Sequence, residues 1–438
     1  MFEKLNQQFS QSKLHTQQYR GCLALNRNSA GFTREMKEHI YTLVSDRAEG
    51  PFLYDLDGNR LIDLTMGFGS VFFGHNHPPL REAIIEQLGR SWSVGAITPL
   101  AGELAETVCR LTGVERVAFF NSGTEAVMVA LRLAKAVTGK RYIVYFKVSY
   151  HGTFDTLLSL KSDPVTSHAM EHVPGVTQSI LNESYLLQYG TAESLDFIRN
   201  HAHEIAGVLI EPIQSRNPSF QPVAYLQELR EVTHDNGIAL IFDEVISGFR
   251  FDLGGCQKMY GIRADLVTYG KVLGGGMPIG VVAGSRMFMD PVDGGFWSYG
   301  DDSCPEVKMT FVAGTFCHHP LAMATALKSL ALLQEDEGAV IATLNETTRC
   351  FCEEIKGFFA QNHLPLDIVY AGSLFRFVTP GRSNLLYFKL QERGIYIWEG
   401  RNCFLSPSHS PEILEEITHH VMSACLELVD EGLIKIKR

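Results

Sequence analysis

The chain has no apolar run long enough to cross a bilayer, and its polar, Gln-rich first 25 residues contain no apolar segment of the kind a secretory signal carries. Neither a membrane span nor export is expected, and the protein is read as cytoplasmic. Basic charge is also scarce. Against 49 Asp and Glu stand 38 Lys and Arg, a formal net charge of −11, and the cations nowhere gather into a stripe that could track phosphates. A nucleic-acid partner is therefore not expected. The nine cysteines are odd in number and scattered, mostly through apolar or helical stretches, as buried thiols of a reducing compartment are. Cys350-Phe-Cys352, the His318-His319 pair beside Cys317, and His75 with His77 all lack zinc spacing, so no metal is expected. Internal repeats and low-complexity tracts are missing too.

What is present is the balance of a globular protein: 45% hydrophobic and 20% charged residues in 438 positions, more than one core usually serves. From about residue 115 to 285, short apolar runs alternate with helical periodicity, the pattern of an α/β layer with a largely parallel sheet. The expected strands are Val117–Phe120, Tyr142–Phe146, Gly207–Ile210, Ile238–Phe242, Ala264–Thr268 and Gly280–Ala283. Ala126, Ala130 and Ala134 share one face of an expected helix, Glu125–Lys135, and a second helix is expected over Val223–Asp235. Asp57-Gly58-Asn59 between apolar runs predicts a β-hairpin. Amphipathic patterns cover Ala322–Glu335, Val340–Phe359 and Pro411–Asp430. The expected organisation is a connector or polar helix over 1–25, a large domain over 70–321, and a smaller α+β domain from 26–69 with 322–438.

Three short stretches carry chemistry. Asn121-Ser122-Gly123-Thr124-Glu125 follows an expected strand and opens a helix, where unpaired N–H groups and the helix field favour a phosphate; the same turn also serves as a plain N-cap. Asp243 ends a buried strand, at the edge where open α/β sheets place ligands. A carboxylate there needs a positive partner or a set of backbone donors. Lys271 follows another strand and precedes Gly274-Gly275-Gly276, an unusual place for a solvated charge, and desolvation would free its amine to attack an aldehyde. A phosphate cradle, a carboxylate for a pyridinium and an amine for an aldehyde are the three handles of pyridoxal phosphate.

Through Asn121-Ser-Gly-Thr-Glu-Ala, Tyr150-His151-Gly152, Glu211-Pro212, Phe242-Asp243-Glu244-Val245-Ile-Ser-Gly-Phe-Arg250 and Lys271-Val-Leu-Gly-Gly-Gly, the chain resembles class III aminotransferases of the fold-type-I pyridoxal-phosphate superfamily from about residue 26 to its C-terminal helix. That resemblance implies a Schiff base on Lys271, ping-pong amino transfer with Lys271 moving the proton, and Asp243 keeping the ring nitrogen protonated. It also implies Ser122, Gly123 and Thr124 at the phosphate, Tyr150 or His151 stacked on the ring, and Val245 on the ring's other face. Glu211 would lie near the ring oxygen or the bound amine. Gly314-Thr315 resembles a Gly-Thr that reaches the phosphate from a partner subunit, implying a homodimer with shared sites.

Within the class, Asp55-x-Asp57-Gly-Asn, Met66-Gly-Phe-Gly, His75-x-x-Pro78 and Gly372-Ser-Leu-Phe375 resemble the glutamate semialdehyde aminomutase branch. That enzyme clamps its substrate's carboxylate with an arginine near the stretch matching Asn28–Phe32, where this chain has Ala30 and Gly31, with Arg27 nearby. Asn26–Phe32 resembles instead the aminotransferase domains of hybrid polyketide/nonribosomal-peptide synthetases. The expectation drawn is amino transfer from an amino-acid donor to a β-ketoacyl thioester on an acyl carrier protein. The alternatives are a free-standing transaminase or aminomutase for small amino and keto acids, and an inactive scaffold.

Overall fold

The computed structural model describes residues 2–436 apart from 27, 28, 30, 31, 35 and 172. The stretch bearing Arg27, Asn28, Ala30 and Gly31, on which the absent acid clamp was argued, thus lies outside the described residues. The backbone packs as two units, Pro79–Asn345 and a second made from both ends of the chain, Met1–Pro78 with Glu346–Arg438.

The central unit is built on seven strands: β1 Arg116–Phe120, β2 Tyr142–Phe146, β3 Ser184–Leu187, β4 Ile205–Ile210, β5 Ala239–Asp243, β6 Leu266–Gly270 and β7 Gly280–Gly284. Their order across the sheet is β1-β7-β6-β5-β4-β2-β3. Every pair is parallel except that β7 runs antiparallel to both neighbours. All residues of β4, β5, β6 and β7 are buried, which is why these strands are apolar on both faces rather than alternating. β3 has no counterpart among the expected strands: Ser184-Tyr-Leu-Leu is a short edge strand paired in parallel to β2, with an isolated bridge from Tyr185 to His168 on its other flank.

Helix α1, Gly123–Thr138, lies across β7, β6 and β4 on its alanine face, with Ala126, Ala130 and Ala134 fully buried. The small residues matter because the approach is close. A Cβ on Gly207 of β4 would sit 3.2 Å from that of Ala134. Helix α2, Val223–Asp235, packs on β5. The carboxyl ends of β2, β4, β5 and β6, together with Phe120 of β1, gather at one edge of the sheet, since Gly280 pairs with both Phe120 and Gly270.

The second unit holds the expected hairpin, Phe52–Asp55 with Arg60–Asp63, extended by Ser45–Glu49 and by Ile395–Tyr396, which joins Arg60–Asp63 in parallel. A smaller sheet combines Asp367–Ala371, Leu374–Val378 and Cys403–Phe404. Residues 2–19 form two helices, Phe2–Gln8 and Ser10–Tyr19, whose Leu5 and Phe9 are buried with Leu53, Leu61 and Phe388. Phe9 is fully buried, so Phe9→Ala should cost about 3–5 kcal/mol of unfolding free energy. Urea denaturation checks this, and a loss within error of zero would show the N-terminal helices to be dispensable to this unit. The helix Pro320–Gln334 belongs to the central unit.

Candidate active site

The edge where the parallel strands end carries a cavity of about 220 Å³. Nine of the ten residues singled out from the sequence line it: Ser122, Gly123 and Thr124 from the start of α1; Tyr150 and His151 after β2; Glu211 after β4; Asp243 and Val245 at the end of β5; and Lys271 after β6. Thr315 is not among them and is exposed. Ser122 caps α1 in full, its Oγ accepting from the Glu125 N–H at 3.2 Å while the Glu125 carboxylate accepts from the Asn121 and Ser122 N–H groups. The plain N-cap is therefore real, and it leaves the first turn of α1 lining the cavity. The N–H groups of Gly123 and Thr124 in the first turn have no intrahelical acceptor and face the site with the positive end of the helix. Only glycine fits beneath this turn at position 280, where a Cβ would stand 1.9 Å from the Ser122 carbonyl oxygen.

Asp243 is buried, and its contacts are asymmetric. Oδ1 accepts from the Val245 N–H and the Thr268 hydroxyl, both at 3.1 Å, and Oδ2 meets His151 Nδ1 at 2.6 Å. A carboxylate offers about four lone-pair directions, so one remains on the Oδ2 side for a further donor. Thr268 escaped the sequence reading, although a hydroxyl within the apolar run Leu266-Val-Thr-Tyr was a visible signal; it pairs in register with Asp243. His151 donates one nitrogen to Asp243 and holds the other, Nε2, buried without a partner among the described residues. Glu211 is buried as well, accepting from the Tyr150 N–H at 3.0 Å and the Ser215 N–H at 3.2 Å, and burial pushes its carboxyl up.

Lys271 follows Gly270 with φ of 42°, a left-handed conformation rare outside glycine and one that stores backbone strain. Desolvation brings its ammonium down to about 8, against the upward pull of Asp243 and Glu211. Arg250, fully buried in the same unit, adds to the downward shift. About a tenth of the Lys271 amine is thus neutral at pH 7, far more than for an ordinary lysine.

Residues 33–408 match the model of the family described as aminotransferase class-III. The chain belongs to the class-III aminotransferases. It is 34% identical over 414 residues to the glutamate-1-semialdehyde 2,1-aminomutase of Hyperthermus butylicus, covering 91% of each chain. An omega-transaminase from Sphaerobacter thermophilus superposes with a TM-score of 0.83 at 29% identity, over 95% of this chain and 97% of that one. A transaminase with PLP bound gives 0.83 at 27% identity, over 99% of each. This class-III aminotransferase is a pyridoxal-phosphate enzyme of fold type I, and its cavity fits the cofactor. The α1 turn suits the phosphate, the remaining lone pair of Asp243 suits a pyridinium N–H, and the Lys271 amine suits the aldehyde. The expected likeness to synthetase-embedded domains finds no support among these relatives.

Proposed function

We propose that this class-III aminotransferase works on a small free amino or keto acid, moving nitrogen between two molecules or between two carbons of one. The observation that supports this most directly is the likeness, over 91% of both chains, to an enzyme named for glutamate-1-semialdehyde. The carrier-bound β-ketoacyl substrate rested on residues 26–32 and has no comparable support.

Bound pyridoxal phosphate supplies an aldehyde for the amino group and a ring able to accept electrons from the substrate carbon. The chain's own residues do the rest. Gly123, Thr124 and the Ser122 hydroxyl hold the phosphate against the N-terminus of α1. Asp243, fixed on one oxygen by Val245 and Thr268, keeps a proton on the ring nitrogen through the other, and His151 holds that oxygen in place. Because His151 is engaged by Asp243 and buried, the exposed Tyr150 ring is the one assigned to stack on the cofactor, with Val245 on the opposite face. Lys271, with its amine at the cavity, would be the group that moves the proton to and from the substrate carbon. Glu211 would lie near the ring oxygen or the bound amine.

The test is to mix the amino form of the enzyme with small free keto acids, semialdehydes and pantetheine-bound β-ketoacyl groups, following absorbance and product mass. Faster reaction of a free small acid or semialdehyde is expected. A clear preference for the thioesters would overturn the assignment.

Thr315 is assigned to the cavity of a second copy. It is exposed on its own chain, and the same stretch exposes Phe296, Tyr299, Phe311 and Phe316, an amount of aromatic surface that favours a partner. Mixing Lys271→Ala subunits with Thr315→Ala subunits should therefore return activity, since each heterodimer then contains one fully native site. Heterodimers shown to form without any gain over the parents would count against shared sites.

A further inference from the structure

Tyr150 is carried by a loop held in a conformation that its own sequence disfavours. Between the end of β2 at Phe146 and the buried His151, Val148 adopts φ of 72°. A β-branched residue with positive φ is a backbone outlier, and the Val148 side chain, 44% exposed, gains little from burial in return. Something outside the loop must hold it. The segment after β4 does so at three successive points. Glu211 accepts the Tyr150 N–H, and the Nε2 of Gln214 donates both to the Lys147 carbonyl at 2.8 Å and to the Ser149 hydroxyl at 2.9 Å, one contact on each side of Val148. Gln214 is 2% exposed, and both hydrogens of its amide nitrogen are committed to this loop. Arg216, two residues on, lies 5.5 Å from the centre of the Tyr150 ring.

We propose that Gln214 is a positioning residue: it clamps Lys147–Ser149 across the strained Val148 and so sets the Tyr150 ring over the cofactor site. The inference rests on the proposed stacking role of Tyr150. Phe146 is fixed in the sheet and His151 by Asp243, so if Val148 relaxes to an ordinary conformation, Ser149 and Tyr150 are the residues that must move. An amide that merely filled the core would have no such dependence on the backbone of residue 148.

The experiment compares Gln214→Met, of similar length but without donors, with Gln214→Met/Val148→Gly, in which glycine accepts the positive φ unaided. Two quantities are measured on the cofactor-free protein: amide hydrogen exchange over 147–151 and the dissociation constant for pyridoxal phosphate. Gln214→Met should speed exchange in that loop and raise the dissociation constant about tenfold, equivalent to about 1.4 kcal/mol. Val148→Gly in the same chain should reverse both, leaving any change in thermal midpoint caused by Gln214→Met in place. Unchanged exchange in Gln214→Met, or no recovery in the double variant, overturns the clamp; loss of thermal midpoint alone would mark Gln214 as only structural. If the wild-type chain failed to hold the cofactor, the functional assignment would fall, while exchange over 147–151 would still decide the clamp.

Discussion

Lys271→Ala should abolish amino transfer, with kcat falling by about 10⁴-fold or more, the upper end of what a positioned acid–base group contributes. The loss has two parts, because the same amine both anchors the cofactor and carries the proton. Borohydride treatment of the wild-type enzyme followed by peptide mapping should find the reduced cofactor on Lys271, and on no lysine in the variant. A cofactor mass on another residue would overturn the assignment. The lowered pKa gives a second readout. In the cofactor-free protein, covalent capture of pyridoxal phosphate by Lys271 needs the neutral amine, whose share rises about tenfold per pH unit below its pKa. Capture should therefore climb with pH and level off near 8, whereas an ordinary lysine would keep climbing to about 10.4. Continued increase through pH 9 and 10 would show that the cavity does not desolvate the ammonium.

Asp243→Asn is expected to keep the fold and lose the chemistry. The asparagine oxygen can still accept from Val245 and Thr268, and its amide can face His151 if that ring adopts the tautomer with a bare Nδ1. What the amide cannot do is hold a proton on the ring nitrogen by charge. Loss of one preorganised electrostatic contact of this kind typically costs roughly 10²–10³-fold in kcat. Single-turnover rates with a deuterated substrate carbon should show proton abstraction itself slowed, with the cofactor still retained through its phosphate. An unchanged single-turnover rate would remove Asp243 from the mechanism. Thr268→Val should have a smaller effect in the same direction, since it removes one of the two donors to Oδ1 of the same carboxylate.

The parts of this architecture that were legible in the amino-acid sequence are those where one local rule decides. The all-apolar runs of β4, β5 and β6 announce strands covered on both faces, and Asp57-Gly58-Asn59 announces a hairpin, because neither depends on distant residues. The cavity was legible for a related reason: in a parallel sheet the residue after each strand falls at the same edge, so Glu211 and Lys271 are brought together by topology alone. What escaped depends on partners far along the chain. Nothing local to Gly280-Val-Val-Ala marks β7 as running against its neighbours. Gln214 looks like an ordinary loop amide until Lys147 and Ser149 are seen on either side of it. His151 and Tyr150 are equal candidates for the ring face in the sequence, and the proposal for Tyr150 draws on the burial of His151 and its contact with Asp243, both made by residues far along the chain. The substrate was least legible, because the only local feature bearing on it is the lack of an arginine at Ala30-Gly31, and an absence names no ligand.

The second unit's interleaved origin sets an order of events during synthesis. Arg60–Asp63 emerges from the ribosome early, but the strand that joins it in parallel, Ile395–Tyr396, is made only after the whole central unit. At elongation rates of roughly 5–20 residues per second, the nascent hairpin waits some tens of seconds with that flank unpaired. Throughout that interval Pro79–Asn345 is free to fold as a continuous stretch of chain, while Leu53 and Leu61 have as neighbours only residues already made, such as Leu5 and Phe9. Ribosome-bound chains halted after Asn345 should accordingly show a protease-resistant central fragment attached to a protease-sensitive leader, and the leader should become resistant only when the last segment is released.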